Sequence, residues 1–327
     1  MVIEILNFGG MVMTGEHQKI VLVGDGAVGS AYAYALINHG LSAELAIINH
    51  TREKAIGDAL DLEDATPFLN PMNVYESNYS ACRDADIVVI CAGAAQKPGE
   101  TRLQLVTKNL KIVNDITKKV VMNGFDGIFI VAVNPVDIMS YAVLKGSGFA
   151  PERVIGTGTS LDTARLKVAM AKKFGVNPLN VNVNILGEHG DSEFAAYSSA
   201  DIGGEPLFKV ISREGIKLDE LFEIENSVRN KAYQIINRKG ATFYGVATAI
   251  MTITKAILRD ESKLITVGCY LNGEYGYDDV YIGTPAIIGA GGVEELIEIP
   301  LNVLEKSAMR QSVATLKQTT ANAITGY

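Results

Sequence analysis

The first half of the chain alternates short apolar runs with longer stretches of helical periodicity. Apolar runs bounded by glycine or polar residues predict buried strands, and apolar positions spaced by three and four predict helices between them. The predicted strands are Ile20–Val23, Leu45–Ile48, Ile87–Cys91 and Ile128–Val133, and the predicted helices are Ser30–Asn38, Glu53–Ala65 and Leu103–Met122. Strands that alternate with helices in this way predict an α/β fold with a doubly wound parallel sheet.

The pattern changes around residues 151–159, and the second half predicts a mixed α+β domain. A helix is predicted at Leu161–Phe174, strand-like alternation near Val181–Leu186, and long helical periodicity over Ser227–Ile257 and at the C-terminus. Asn302, followed three residues later by Glu305, predicts the N-cap of the last helix. We therefore expect an N-terminal arm or extension at residues 1–17, a first domain at 18–157 and a second at 158–327.

Composition and charge narrow the classes of function. The chain of 327 residues carries 29 basic and 37 acidic side chains without a basic run, which argues against nucleic-acid binding. Three cysteines without CxxC spacing and four scattered histidines predict no metal site and a reduced, cytoplasmic protein. No apolar run approaches the roughly 20 residues that span a bilayer, and the first residues lack the features of a signal peptide. We expect no membrane association.

A glycine-rich loop follows the first predicted strand and opens the first helix. Gly24, Gly26 and Gly29 have the spacing G-x-G-x-x-G, and Ala27 and Val28 complete the loop. Such glycines allow a tight turn and a close approach of the backbone to a pyrophosphate, which the helix N-terminus then binds. An ordinary strand–helix turn is the alternative, but the βαβ context favours a Rossmann-type sheet that binds NAD.

Asn49 stands at the end of the second predicted strand, where a carboxylate is expected to bind the ribose. An amide still bonds a ribose hydroxyl, but it lacks the charge that repels a 2′-phosphate, and Arg52 lies nearby. We therefore expect NAD to be preferred and NADP to be used more weakly. Asn49 as a plain turn residue is the alternative.

Two further segments are candidates for a substrate site. Residues 92–102 contain glycine, proline and polar residues between a strand and a helix, as a mobile lid would. Asp162 and Arg165 lie three residues apart and share a helix face. From this spacing alone, a surface ion pair is the favoured interpretation.

His189 lies between Gly187 and Gly190 at the end of a predicted strand, in a sterically open loop. Because histidine titrates near neutrality, His189 is a candidate general acid and base, and a solvated loop histidine is the alternative. A metal site built from His189 and Glu193 is less favoured, since Gly190 and Asp191 disrupt a helix there.

Together these segments resemble the L-lactate/malate dehydrogenase family, and its lactate branch closely. The motifs GDGAVGS, AGAAQKPGETR, VNPVD, GTGTSLDTAR, GEHGDSE and KGAT occur in the order and spacing of the family, from about Lys19 to the C-terminal helix. The resemblance implies an NAD-dependent oxidoreductase of glycolysis and fermentation that interconverts pyruvate and L-lactate. It also implies a homotetramer.

The resemblance implies a role for each matching residue. His189 would donate the proton to the substrate carbonyl and accept it in the reverse direction, and Asp162 would hold its imidazole. Arg165 would bind the substrate carboxylate through two parallel hydrogen bonds, which lysine cannot copy. Arg102, on the lid, would polarise the carbonyl. Asn134 would bond the reacting oxygen and help to place the nicotinamide.

The resemblance also assigns the pocket walls and the substrate preference. Thr242 would line the substrate pocket, and Gly93 would contact the cofactor. Gln96 takes the lid position that is glutamine in the lactate branch and arginine in the malate branch. A neutral amide suits the methyl group of pyruvate, whereas the second carboxylate of oxaloacetate needs a cation. Ala95 is small, which leaves space for somewhat bulkier 2-oxo acids.

Regulation is the point at which the chain departs from allosteric bacterial members of the family. Those members bind fructose 1,6-bisphosphate through an arginine and a histidine, and the matching positions here are Lys167 and Asn182. We therefore expect weak or no activation by this sugar phosphate. A related dehydrogenase for malate or a branched 2-hydroxy acid, and a non-enzymatic NAD-binding relative, are the alternative functions.

Overall fold

The computed structural model describes residues 18–94 and 102–324, except for the side chains of Arg102, Leu103 and Ile324. The predicted N-terminal arm at residues 1–17 lies outside the described residues. So do Gln96 and most of the predicted lid.

Six parallel strands form one side and the centre of a large sheet, in the order β3-β2-β1-β4-β5-β6. They are β1 (Lys19–Val23), β2 (Glu44–Ile48), β3 (Asn73–Glu76), β4 (Ile87–Ile90), β5 (Ile128–Val131) and β6 (Val154–Gly156), with helices α1 (Ala27–His39), α2 (Arg52–Glu63), α3 (Arg102–Met122) and α4 (Val136–Ser147) in their connections. The strand order reverses between β1 and β4, so the loops after these strands border a crevice that suits a ligand. The predicted doubly wound α/β sheet is confirmed.

The second half of the chain adds helices, small sheets and three more strands of the large sheet. Its elements are α5 (Ser160–Phe174), β7 (Val181–Asn182), β8 (Ile185–Leu186), β9 (Phe194–Ala195), β10 (Asp201–Ile202), β11 (Glu205–Pro206), α6 (Leu207–Glu214), α7 (Leu218–Lys239), α8 (Tyr244–Leu258), β12 (Lys263–Asn272), β13 (Asp278–Gly289), β14 (Gly292–Leu296) and α9 (Val303–Ile324). β12 pairs antiparallel with β6, and β13 and β14 continue the sheet to nine strands. The hydrophobic pattern did not predict these last three strands.

The side chains of β1 alternate between two hydrophobic cores, one on each face of the sheet. Ile20 and Leu22 pack in the core that includes residues of α1 and α8, and Val21 and Val23 pack in the core that includes residues of α3, α4 and α9. All four side chains are at most 2% exposed. Since burial of each such side chain stabilises the fold by about 1.5–3 kcal/mol, the strand is a rigid support for the loop that follows it.

The helical periodicity over Ser227–Ile257 corresponds to two helices rather than one. Helix α7 begins earlier, at Leu218, and ends at Lys239, and α8 begins at Tyr244. Gly240, with φ +85°, follows α7 in the left-handed region that glycine adopts without strain. The break places Thr242 in a loop instead of a helix.

The predicted N-cap of the last helix is confirmed. The Glu305 N–H donates to Asn302 Oδ1 at 2.9 Å, and the Asn302 N–H donates to Glu305 Oε2 at 2.9 Å. The two bonds form a reciprocal capping box that satisfies backbone donors at the start of α9.

The predicted domain boundary near residue 157 falls between β6 and α5. Because β12 pairs with β6, with Gly268 opposite Gly156, the two halves share one sheet. The division into domains at this residue stays a prediction. Among the described helices, none is long and apolar enough to cross a bilayer.

Candidate functional site

The glycine loop has the geometry that its spacing predicts. Gly24 has φ +97°, and a Cβ there would lie 2.5 Å from the backbone nitrogen of Ala92. A Cβ on Gly29 would overlap the carbonyl oxygen of Gly24, whereas a Cβ on Gly26 would meet no protein atom within 4 Å. The first and third glycines are therefore required by the packing of the protein itself, and the second leaves open space beside the loop.

A cavity of about 690 Å³ opens on this loop. Gly24, Gly26, Asn49 and Gly93 line it, together with apolar side chains of α3. Helix α1 begins at Ala27, and Val28 and Gly29 complete its first turn, where backbone N–H groups lack partners within the helix. Open space, apolar walls and a helix N-terminus are the features that a dinucleotide requires, so these residues fit such a cofactor.

Asn49 contacts a buried carboxylate that the sequence analysis did not single out. Its side-chain amide donates a hydrogen bond to Asp25, which is fully buried. Lys54 lies 3.5 Å from Asp25 and 2.9 Å from Asp58. Burial raises the pKa of Asp25, and the charge of Lys54 opposes this shift. The position of Asp25 between the first two glycines of the motif was a signal in the sequence, but only the tertiary structure brings Asp25 into contact with Asn49.

Asp162, Arg165 and His189 form a compact cluster. Arg165 Nη1 lies 2.9 Å from Asp162 Oδ1, and His189 Nδ1 lies 2.6 Å from Asp162 Oδ2. The side chains of Asp162 and Arg165 are 3% and 8% exposed, and that of His189 is 25% exposed. The expectation of a surface ion pair for Asp162 and Arg165 is therefore wrong, because α5 turns the shared face of these residues into the protein.

The charges in this cluster shift the pKa values of both titrating partners. Burial alone would raise the pKa of Asp162, but the positive charges of His189 and Arg165 hold it below its usual range. Burial alone would lower the pKa of His189, but the charge of Asp162 and its hydrogen bond raise that pKa to about 9. At neutral pH the imidazole is therefore protonated, as a proton donor must be.

The loop that carries His189 connects β8 to β9 and is fixed at both sides. Gly187, with φ +97°, exchanges backbone hydrogen bonds of 3.1 and 2.9 Å with Gly283 of β13. The backbone N–H of His189 donates to Asp137 Oδ2 at 2.9 Å. Asp137, in the first turn of α4, is 3% exposed, and burial raises its pKa to about 7. Its position in the VNPVD motif was a signal in the sequence, but no role was predicted for it.

Asn109 of α3, a second residue that the sequence analysis missed, connects the loops after β4 and β5. Its amide donates to the backbone carbonyl of Asn134 at 2.8 Å, and its Oδ1 accepts the N–H of Ala94 at 2.8 Å. The Asn134 side chain is exposed. A Cβ on Gly93 would lie 2.5 Å from Val133 Cγ1, so this loop packs closely on the strand end. Asn109 is 1% exposed, and its long-range contacts have no counterpart in the local sequence pattern.

The remaining predicted site residues are placed less fully. Thr242 lies partly buried in the loop between α7 and α8. Arg102 begins α3, but its side chain is not described, and Gln96 lies outside the described residues. Their predicted contacts with a substrate stay predictions.

Among the described residues, one group of ligand-type side chains has the geometry to hold a metal ion. Asp162, His189 and Glu193 offer atoms that all lie within 4.8 Å of one another. The guanidinium of Arg165 already occupies one oxygen of Asp162 and opposes a second cation there. The prediction that the protein binds no metal is not tested by this geometry.

Comparison with protein families matches nearly the whole described chain. Residues 18–156 match the family model described as lactate/malate dehydrogenase, NAD binding domain. Residues 159–325 match the model described as lactate/malate dehydrogenase, alpha/beta C-terminal domain.

Individual relatives are similar over almost their full lengths. The L-lactate dehydrogenase of Limosilactobacillus reuteri is 59% identical over 313 residues, which cover 96% of this chain and 97% of the relative. That of Pediococcus acidilactici is 62% identical over 303 residues, 93% of this chain and 94% of the relative. The solved ligand-bound structure of the minor L-lactate dehydrogenase from Enterococcus mundtii has a TM-score of 0.91 at 44% identity, covering 93% of this chain and 98% of its own. The chain therefore belongs to the lactate/malate dehydrogenase family.

Proposed function

We propose that this protein transfers a hydride reversibly between NADH and pyruvate and so produces L-lactate. The observation that carries the proposal is the cluster of Asp162, His189 and Arg165. Asp162 holds His189, a proton donor, close to Arg165, a cation that can bind the carboxylate of the substrate. Similarity to several L-lactate dehydrogenases supports the substrate.

His189 is the acid and base of the proposed reaction. Because Nδ1 faces Asp162, the opposite ring nitrogen, Nε2, is left to donate a proton to the carbonyl oxygen of pyruvate. Asp162 holds the ring in one orientation and stabilises its positive charge. In lactate oxidation, the neutral ring accepts the proton from the hydroxyl group.

Arg165 binds the substrate carboxylate in this proposal. Its Nη1 is held by Asp162, which fixes the plane of the guanidinium. A planar guanidinium can present two parallel donors to a carboxylate, so this contact also orients the substrate. Thr242 lines the same pocket in the proposal.

The lid and the cofactor complete the proposed site. Arg102 stabilises the negative charge that develops on the carbonyl oxygen, and Asn134 bonds this oxygen. Gln96 accommodates the methyl group of pyruvate, whereas oxaloacetate would bury a second carboxylate without a cation. Gly24, Gly26, Ala27, Val28, Gly29, Asn49 and Gly93 would hold the NADH that supplies the hydride. We expect the predicted lid, most of which lies outside the described residues, to exclude water from these contacts.

We also propose that NADP(H) is used, but less well than NAD(H). Asn49 carries no charge that would repel a 2′-phosphate. However, Arg52 forms an ion pair with Glu76 at 3.1 Å, which reduces the cationic attraction available to that phosphate. Rates with NADPH and NADH at equal concentrations test this, and complete exclusion of NADPH would contradict it.

We also propose an oligomeric state, a cellular location and a separate role for each half of the chain. We expect a cytoplasmic homotetramer in which residues 18–157 bind the dinucleotide and residues 158–327 carry the substrate site. We expect no bound metal. Light scattering on the purified protein tests the tetramer, and dialysis against a chelator that leaves the activity unchanged would support the absence of a metal requirement.

Oxidation of NADH with pyruvate, oxaloacetate and a branched 2-oxo acid, assayed separately at neutral pH, tests the proposed function. We expect a strong preference for pyruvate. Preference for either other acid would overturn the substrate assignment, and the absence of turnover with all three would overturn the assignment as an enzyme of this class.

A further inference from the structure

Glu193 is a buried acid beside the proposed proton donor and has no role in the mechanism above. It ends the loop from β8 and directly precedes β9, where the pairing of Phe194 with Leu186 fixes its backbone. The Glu193 residue is 5% exposed. One of its oxygens lies within 4.8 Å of ligand atoms on both Asp162 and His189. A carboxyl group in this position requires a partner or a proton, because an unpaired buried charge is costly.

The charged groups around Glu193 determine whether its carboxyl group is protonated or ionised. Asp162 already carries a negative charge that is balanced by Arg165 and His189. A second carboxylate with an oxygen within 4.8 Å of an Asp162 oxygen would repel it, and two such groups share a site only if one holds a proton. Arg229 donates to the backbone carbonyl of Glu193 at 2.9 Å and pairs with Glu225 at 3.0 Å, so the charge of Glu225 partly balances that of Arg229. The charged groups facing this site are Asp162, Arg165, His189, Asp137, Arg229 and Glu225.

We propose that Glu193 is a positioning residue of the proton relay, whose protonated carboxyl donates a hydrogen bond to Asp162 and aligns that carboxylate on His189. Burial and the charge of Asp162 raise the pKa of Glu193 to about 8, so that it is protonated at neutral pH. Asp162 then contacts three donors, on His189, Arg165 and Glu193, which together restrict its rotation. The inference rests on the proposed function, because it concerns the proton donor of that reaction.

A pH-dependent consequence follows from the same contacts. Above the pKa of Glu193 the hydrogen bond to Asp162 is lost and a second negative charge faces the imidazole. The charge of Glu193 favours the protonated form of His189. The upper limb of the pH profile therefore belongs to a coupled set of groups rather than to His189 alone.

Two substitutions separate the hydrogen bond from the charge. Glu193→Gln keeps a neutral donor of the same shape, and Glu193→Met removes both the donor and the charge. We expect E193M to lower kcat for pyruvate at pH 7 by about ten-fold, the usual scale for losing a hydrogen bond to a charged group. E193Q is expected to recover most of that loss. Glu223→Gln, an exposed substitution on α7, is the matched control and is expected to leave kcat unchanged.

The pKa of His189 provides a readout that a merely structural role would not move. NMR titration of ¹³C-labelled histidine in the full-length protein, assigned with a His189→Asn variant, measures it without turnover. His189 titrates at about pH 9, above the pKa of Glu193 of about 8, so Glu193 carries a negative charge in that range. Both Glu193 variants remove this charge and are expected to lower the pKa of His189 by about 1. An unchanged pKa in both variants, or a loss of kcat in E193Q as large as in E193M, would overturn the proposal. Failure of the proposed function would appear differently, as absence of turnover in the unmodified protein with the pKa shift still present.

Discussion

Replacement of Asp162 by asparagine tests the electrostatic argument at the centre of the site. Asp162 Oδ2 lies 2.6 Å from His189 Nδ1, and its charge raises the pKa of His189 to about 9. Compared with the ordinary histidine pKa of about 6.5, this shift corresponds to about 3 kcal/mol. D162N removes the charge but leaves the burial, which by itself lowers the pKa. We therefore expect the pKa of His189 in D162N to fall to about 6.5 or below.

The kinetic consequence can be worked out from this shift. Reduction of pyruvate requires protonated His189, and at pH 7.5 a pKa of 6.5 leaves only about one tenth of the enzyme in that form. D162N is thus expected to lower kcat/KM for pyruvate at pH 7.5 by about ten-fold through protonation alone, with a further loss from misorientation of the ring. The assay is NADH oxidation with pyruvate from pH 5.5 to 9.5. The pH above which the rate falls, which reflects His189 together with Glu193, should move down towards about 6.5.

The same substitution should change stability with a defined sign. A raised pKa means that protonated His189 stabilises the fold fully below about pH 6.5, and that this stabilisation is lost as the pH rises through about 9. The lowered pKa of Asp162 stabilises the fold above the ordinary value of 3.8 and is lost in acid. The difference in melting temperature between D162N and the unmodified protein should therefore be largest near pH 5–6 and should shrink towards pH 9.

Asp126→Asn is a control with the same charge change. Asp126 pairs with Arg153 at 2.7 Å, and its side chain is 85% exposed. We expect this variant to keep the unmodified pH profile, because exposed ion pairs contribute little. An upper limb that remains near pH 9 in D162N would refute the argument that Asp162 sets the pKa of His189.

Three further predictions concern the cofactor loop, regulation and stability. Gly29→Ala should lower the melting temperature, because overlap of the new Cβ with the backbone costs about 1–3 kcal/mol. Gly26→Ala should leave the melting temperature unchanged but weaken NADH binding roughly ten-fold. Melting curves and NADH fluorescence titrations measure the two effects, and equal behaviour of the two variants would contradict the loop geometry. Fructose 1,6-bisphosphate should activate the enzyme weakly or not at all, since Asn182 donates to both oxygens of Asp201 at 3.0 Å and a carboxylate therefore lies beside this position, where it would repel a phosphate. A large fall in the pyruvate concentration for half-maximal rate would contradict this. Asn302→Ala should destabilise the protein by about 1 kcal/mol through loss of the helix cap, as measured by denaturant unfolding, and an unchanged midpoint would count against the cap.

The sequence by itself determined the features that depend on local pattern. Fully buried strands such as Ile20–Val23 and the glycines of the cofactor loop are visible because strand burial and tight turns constrain residue type over a few positions. The capping box of Asn302 and Glu305 is visible for the same reason, since both partners lie within one helical turn. These local signals were sufficient to predict the doubly wound fold and to recognise the resemblance to the family.

Only the tertiary structure decided which distant residues meet. The spacing of Asp162 and Arg165 favoured a surface ion pair, but packing of α5 buries both and brings His189 from a separate hairpin loop to 2.6 Å from Asp162. The hydrophobic pattern missed the strands of residues 263–296. The place of β12 in the large sheet depends on its pairing with β6, more than 100 residues away, and β13 and β14 extend the sheet by pairing in turn beyond β12. The environment of Glu193 was likewise invisible, because desolvation and charge repulsion depend on the three-dimensional neighbours of a group and not on its sequence neighbours.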